Sequence, residues 1–417
     1  MTHSTTQTYV LKRDILTFAN KISRGLKRPG QKFTADMVYG ILASGSCLLT
    51  DIADTLHEKA KKKNTVERLA LNLARGTPKK ALGPYLAAVR KWTPENPVIL
   101  VDDTDIAKES GRKFEAIGRI RDGSASSKNK NVYKDGYHVT EAVVLTGSRH
   151  PASIFSKVHS SREKDYTSIN DITFAAIERG VKLFGRATFV MDRGYDSNRM
   201  FLKLDGLGQD YVIRLTAKRV LWFNNRWISA GEMCNRRKGK IKMGLHYRGK
   251  DHVAYISHVK TRITASRKDV NLVLVYGITE HPMMLATNKE IRTKDDVISV
   301  ARLYFSRWKI EEYFRAKKQM FGFEGFRVRS LRAINCLNFY VTVAMAYLNH
   351  VSLKPETDPM KGRITNKASP LKEKVAFKFY RLLKGIRAIL AYAMTGISGW
   401  FRTGRPAYRQ MCLRLIM

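Results

Sequence analysis

The sequence predicts an α/β fold whose core is interrupted by a β-rich insertion and flanked by helical regions at both ends. Three observations carry that reading. Apolar runs at residues 98–101 (VILV) and 187–191 (ATFVM) are buried-strand signals, with a helical pattern at 165–180 between them. Residues 217–287 are mostly strand formers broken by turn residues. Residues 295–321 contain no Gly or Pro, follow a capping box of Thr293 with Asp296, and stop at Gly322, a natural C-cap. That last stretch reads as one long helix.

The 417 residues are enough for two or three domains with adequate cores, and a 44% hydrophobic fraction is that of a globular protein. The charge is not ordinary: 76 Lys plus Arg against 36 Asp plus Glu leaves +40. A polyanion is the natural partner, and basic residues occur in every region. A membrane surface is the competing polyanion, but no basic amphipathic helix or lipidation motif supports it. Nucleic acid is therefore expected, and no membrane. Cys47, Cys234, Cys336 and Cys412 are far apart and form no CxxC pair, which argues against a zinc cluster and against a disulfide framework. The N-terminus lacks a signal-peptide pattern, and no apolar run approaches a membrane span in length. A cytoplasmic protein is expected, nucleoid-associated if bacterial.

In chain order, residues 1–95 read as a helical DNA-binding region. Apolar residues recur at helical spacing over 34–48, and 51–76 gives two further helices. LTDIA at 49–53 followed by KKKNTV at 61–66 has the rhythm of a helix-turn-helix with a basic turn, a rhythm that plain helical pairs also produce. Pro94 and Pro97 mark the boundary. Residues 96–216 form the first part of the core. The strand at 98–101 runs into Asp102-Asp103-Thr104-Asp105, and a basic, Gly-containing stretch follows at 108–134. Strands come at 137–146 and 153–159, a helix at 165–180, and a strand at 187–191 that ends in Asp192-Arg193-Gly194-Tyr195-Asp196. A short helix near 198–204 leads to a strand at 211–215. Three strands, a crossover helix, a strand, a helix and a strand is the order of an RNase H-like core. The β-rich insertion occupies 217–288, with Asn224-Asn225 as a hairpin turn. Residues 289–350 return to the core with the long helix and a second one at 331–353. The C-terminal helical region, 351–417, has a helix at 371–397 behind a polar segment with Pro355 and Pro359.

Chemistry gathers on the long helix. Tyr304, Arg307, Glu311 and Lys318 are spaced by three, four and seven residues, which leaves them inside an arc of roughly 60°. One stripe thus carries a carboxylate flanked by two cations and a phenol, bordered by Trp308 and Arg315. By itself such a stripe is ordinarily a solvated face with an Arg307–Glu311 pair. Likewise, an aspartate after a strand is ordinarily a turn or a cap. Together, two strands each running into Asp and a helix displaying Glu311 could bring three carboxylates beside one sheet. Such hard oxygen ligands suit Mg²⁺ or Mn²⁺. Two such ions about 4 Å apart activate the attacking oxygen and stabilise the leaving one in phosphoryl transfer.

VILVDDTDIAK, VMDRGYDSN and YFSRWKIEEYFRAKK resemble the three acidic motifs of DDE transposases from bacterial insertion sequences. The third is similar throughout to the Tyr-x2-Arg-x3-Glu-x6-Lys signature of the cut-and-paste branch, filled by Tyr304, Arg307, Glu311 and Lys318. The resemblance spans about residues 95–350, including the β-rich insertion. It implies Asp102, Asp192 and Glu311 as catalytic residues and ligands of two Mg²⁺ (or Mn²⁺), with Tyr304, Arg307 and Lys318 on the DNA backbone at the transposon end. Asp103 and Asp105 remain alternatives for the first ligand; Asp102 is preferred because it directly follows the strand and has Thr104 two residues on. The implied activity is strand cleavage and strand transfer at terminal inverted repeats, through a hairpin at the excised end. A homodimer on DNA is implied, with the C-terminal helices as candidate interface. The alternatives are a metal-dependent nuclease of the same fold and a transposase-derived DNA-binding protein without chemistry.

Overall fold

The computed structural model describes residues 2–109, 111, 113–121, 126, 130–247, 250–264, 268–368 and 377–402. Five helices precede the first strand: α1 (Thr2–Ser23), α2 (Arg28–Ser44), α3 (Leu49–Leu56), α4 (Lys62–Ala74) and α5 (Lys79–Trp92). Pro29 lies in the first turn of α2, where its missing N–H costs nothing, and Gly45 closes the helix in the left-handed region. The expected pair of helices after residue 49 is present as α3 and α4, which pack on each other.

The core follows as β1 (Val98–Ala107), β2 (Gly118–Arg121), β3 (Tyr133–Leu145), β4 (Pro151–His159), α6 (Ile169–Phe184), β5 (Thr188–Met191), α7 (Asn198–Gly206) and β6 (Asp210–Arg214). Apart from the short β2, this is the order read from the sequence. Ser168 and Ser197 start α6 and α7 by accepting hydrogen bonds from the Asp171 and Met200 N–H groups. One expectation fails at β1. The strand does not end at Val101 but continues through the aspartates to Ala107, because β3 pairs with it antiparallel from Ile99 to Ala107. Only Val98–Val101 also pair in parallel with β5. Asp102 therefore lies mid-strand, at the point where the parallel neighbour ends.

The insertion comprises β7 (Val220–Phe223), β8 (Arg226–Ser229), α8 (Ala230–Asn235), β9 (Ile241–Tyr247), β10 (Lys250–Ile263), β11 (Asp269–Tyr276) and β12 (Met283–Thr287). Asn224 and Asn225, at φ 48° and 58°, turn β7 into β8 as a two-residue hairpin does when both central residues are left-handed. The insertion does not form a separate sheet. β12 pairs with β6, and one mixed sheet runs β2-β3-β1-β5-β6-β12-β11-β10-β7-β8, with β4 on β3 and β9 on β10. α6 covers the face carrying Ile99, so closely that a Cβ at Gly180 would stand 2.7 Å from Ile99 Cδ1. A larger residue at 180 would have to push the Ile99 side chain aside.

The expected long helix is two helices, α9 (Lys294–Phe305) and α10 (Trp308–Phe321). Both predicted ends hold: Thr293 and Asp296 form the capping box, and Gly322 closes α10 at φ 59°. The break at Ser306–Arg307 has a local cause. Ser306 Oγ donates to Leu303 O at 2.6 Å, and the Arg307, Lys309 and Ile310 N–H groups bond three residues back. A serine competing for helix carbonyls and a 3₁₀-like turn kink the run without proline.

α11 (Leu331–Leu353), α12 (Pro359–Lys367), α13 (Phe379–Leu390) and α14 (Gly399–Arg402) complete the described chain. Among the described residues, the helix expected at 371–397 is present as α13; residues 371–376 and Cys412 lie outside the described residues. Against expectation, α11 is long and apolar enough to cross a membrane, but 89% of its apolar stretch is buried in the fold against β4, α2 and α4.

His150, just before β4, ties this core to α13. Its Nε2 accepts from the Lys378 N–H at 3.1 Å and its Nδ1 donates to Ser148 O at 3.0 Å, so both ring nitrogens are used in the neutral form. Burial pushes its pKa down to about 4. The unfolded chain, near the ordinary value of about 6.5, binds this proton first. Stability is therefore expected to fall as pH drops from about 6.5 to about 4, by about 3 kcal/mol from this residue. Urea denaturation of wild type and His150→Gln across that window checks it: the two curves should converge as pH falls, and a constant gap would refute the assignment.

Candidate active site

The three predicted carboxylates come from β1, the end of β5 and α10, and two side chains at the α9–α10 break hold them together. Asp102 is mostly buried. Its Oδ2 accepts from Arg307 Nη1 at 2.7 Å, and its Oδ1 accepts from the Asp103 N–H at 3.0 Å. Burial raises its pKa to about 7, against the lowering effect of Arg307. The second nitrogen of the same guanidinium donates to Glu311 Oε1, in the first turn of α10. Asp192 follows Met191, whose parallel partner is Val101, so Asp192 is the next residue in register beside Asp102. Its Oδ1 accepts from the Tyr304 hydroxyl at 3.1 Å. Burial, with Asp192 adding to it, pushes the Tyr304 phenol up to about 12, so it stays a donor.

The neighbouring aspartates point elsewhere, as strand alternation requires. Asp103 accepts from Thr140 Oγ1 on β3 and, at 2.6 Å, from the Tyr195 hydroxyl. Tyr195 belongs to the turn that begins at Asp192, so Asp103 ties that turn back to β1. Asp105 pairs with His138 Nδ1 at 2.6 Å. Lys318 is apart from the carboxylate group: its Nζ donates to Asp105 O at 2.6 Å and pairs with Glu324 at 3.0 Å. The structure thus brings together Asp102, Asp192, Glu311, Tyr304 and Arg307, and leaves Lys318 at the neighbouring edge of β1.

A pair the sequence reading missed lies beneath. Glu141 stands directly opposite Asp102 in the β1–β3 register, and Lys317 of α10 reaches it at 2.9 Å, both almost fully buried. The signal was available: Lys317 falls on the apolar face of α10 with Ile310, Phe314 and Phe321.

Among the described residues, no three His, Cys, Asp or Glu side chains stand close enough to hold a metal ion as placed. Arg307 lies between Asp102 and Glu311 and supplies positive charge there. The donor set nevertheless fits a hard divalent cation. It consists of carboxylates alone, and burial holds the Asp102 pKa up at about 7 even with Arg307 beside it, a shift that a divalent cation would oppose.

Residues 93–348, more than half of the chain, match the family model of the transposase DDE domain. The chain belongs to the DDE transposase family. No curated protein matches it. The matched span of this transposase runs from the end of α5 to near the end of α11 and includes the whole insertion, all three carboxylates and both residues that hold them. DDE transposases act on DNA and generally use divalent metal ions.

Proposed function

We propose that this transposase cuts and joins DNA at the terminal inverted repeats of a bacterial insertion sequence by the cut-and-paste route. In this reading the fold around the site is an RNase H-like core, and Asp102, Asp192 and Glu311 are the catalytic residues that hold two Mg²⁺ (or Mn²⁺). The observation that carries it is the Arg307 fork joining Asp102 to Glu311 while Tyr304 holds Asp192. Three distant stretches are thereby gathered where the parallel pairing of β1 and β5 ends. When bound, the ions activate the attacking oxygen and stabilise the leaving one. Asp192, mounted at the end of β5, is kept in place by Tyr304 on one side and by the Asp103–Tyr195 tie on the other. Arg307 has a planar fork suited to phosphate oxygens as well as carboxylates, so it is the nearest DNA-backbone contact. Tyr304 and Lys318 extend that contact along the strand. Water and a 3′-OH are both oxygen nucleophiles, so one site serves cleavage and joining.

α1–α5 are the DNA-binding region of this proposal, the protein works at the nucleoid in the cytoplasm, and two copies act together on two ends, with the C-terminal helices as interface. The test supplies a pre-cut end of the element, bearing a 3′-OH, with supercoiled target DNA. Joined product is expected with Mg²⁺ or Mn²⁺ and none after chelation. Cutting without joining would identify a nuclease instead, and DNA binding with neither reaction would leave a non-catalytic relative.

A further inference from the structure

A basic cleft, apart from the carboxylates, lies where the insertion meets the start of α9. An open cleft of about 720 Å³ lies there, lined by Arg236, Arg237, Lys238 and Lys240 from the insertion and by Arg292 and Lys294 at the head of α9. Its floor is apolar, with Ile256 and Val297. Three of the acids nearby are already engaged, and a fourth, Asp295, is exposed beside Lys294. Glu232 pairs with Arg236, Glu290 pairs with Arg292, and Asp296 caps α9. Among the described residues, Lys238, Lys240 and Lys294 have no carboxylate partner, and all three are exposed.

We propose that this cleft holds the phosphate backbone of the duplex leading away from the active site. α9 supplies the ruler. It begins at Lys294 and presents Tyr304 to Asp192, ten residues later, so the cleft and the carboxylates are about 15 Å apart along the helix. Successive phosphates on one strand advance about 3.4 Å. The cations therefore meet phosphates about four to five base pairs from the one at the carboxylates. The contacts proposed are to phosphate oxygens, which are the same at every base pair, so the contact is independent of sequence.

The inference rests on DNA being the substrate, but its test does not require cleavage. Binding of a random-sequence duplex is titrated against salt for wild type and for the triple variant Lys238→Ala, Lys240→Ala, Lys294→Ala. A matched triple outside the cleft, Lys164→Ala, Lys182→Ala, Lys250→Ala, sets the effect of net charge alone. The slope of log affinity against log salt is expected to become shallower by about two to three for the cleft variant, and by much less for the matched one. Equal slopes for the two triples would overturn the proposal. The position is read on a pre-cut end with neutral methylphosphonate linkages about four to five base pairs from the cut. These should weaken wild type and not the cleft variant; equal weakening of both would overturn the assigned spacing. If the slopes separate while wild type joins no DNA, the cleft stands and the transposition reading falls.

Discussion

Asp102→Asn and Asp192→Asn should each abolish strand cleavage while leaving DNA binding intact, and Asp103→Asn should still cut. An amide in place of a metal-binding carboxylate removes several kcal/mol of stabilisation of the reacting oxygens. At about 4 kcal/mol, that is roughly a thousandfold in rate. The three aspartates differ in orientation, which makes the comparison sharp. Asp102 shares Arg307 with Glu311, whereas Asp103 turns to the opposite face and is satisfied by Thr140 and Tyr195. Asparagine at 103 keeps one oxygen acceptor and loses one charge-assisted bond, a cost on the order of 1–3 kcal/mol that falls on the turn carrying Asp192. Single-turnover cleavage of end DNA, with binding measured in parallel, decides it. A dead Asp103→Asn beside an active Asp102→Asn would place the ligand one residue further on and reverse the two faces of β1.

How far the sequence could be read depends on whether the cause was local. The order of strands and helices between residues 98 and 214 was legible because each element announces itself within its own span, by an apolar run, a serine cap or a glycine stop. So were the Asn224-Asn225 hairpin and the capping box at Thr293. The extent of β1 was not. A run of acids reads as a turn, and only the partners on β3, Thr140 and His138 among them, keep Asp103 and Asp105 inside a strand. The fusion of the insertion with the core sheet rests on the pairing of β12 with β6, about 70 residues apart in sequence, and no local pattern reports such a pairing. The helix break turns on a single Ser306 hydroxyl, whose competition for a carbonyl is common in helices and seldom ends one. At the site, spacing picked out the residue types. It placed Tyr304, Arg307, Glu311 and Lys318 on one continuous stripe, and the break turned the first two onto the carboxylates instead of outward.

Replacing Lys317 by methionine should destabilise the protein by about 3–5 kcal/mol, although the residue touches neither a candidate catalytic group nor solvent. Its ammonium is held by Glu141 Oε2 and by Asn338 Oδ1, each at 2.9 Å. The Ser156 hydroxyl donates to the same carboxylate oxygen at 2.8 Å and accepts from Asn338 Nδ2 at 2.7 Å. Four side chains thus close a polar ring between β3, β4, α10 and α11. Burial pushes the Lys317 pKa down, and the Glu141 carboxylate beside it opposes that shift. Methionine fills similar volume but leaves the Glu141 carboxylate buried without its counter-ion, and a broken buried pair costs far more than the intact pair contributes. Adding Glu141→Gln to Lys317→Met should therefore recover most of the loss, since a neutral amide can still bond Ser156 and Asn338. Urea denaturation at neutral pH of the two single variants and the double gives the coupling. If Lys317→Met costs less than about 1 kcal/mol, or the double variant is as unstable as the two singles summed, the ring is not what seats α10, and with it Glu311, against the strand that carries Asp102.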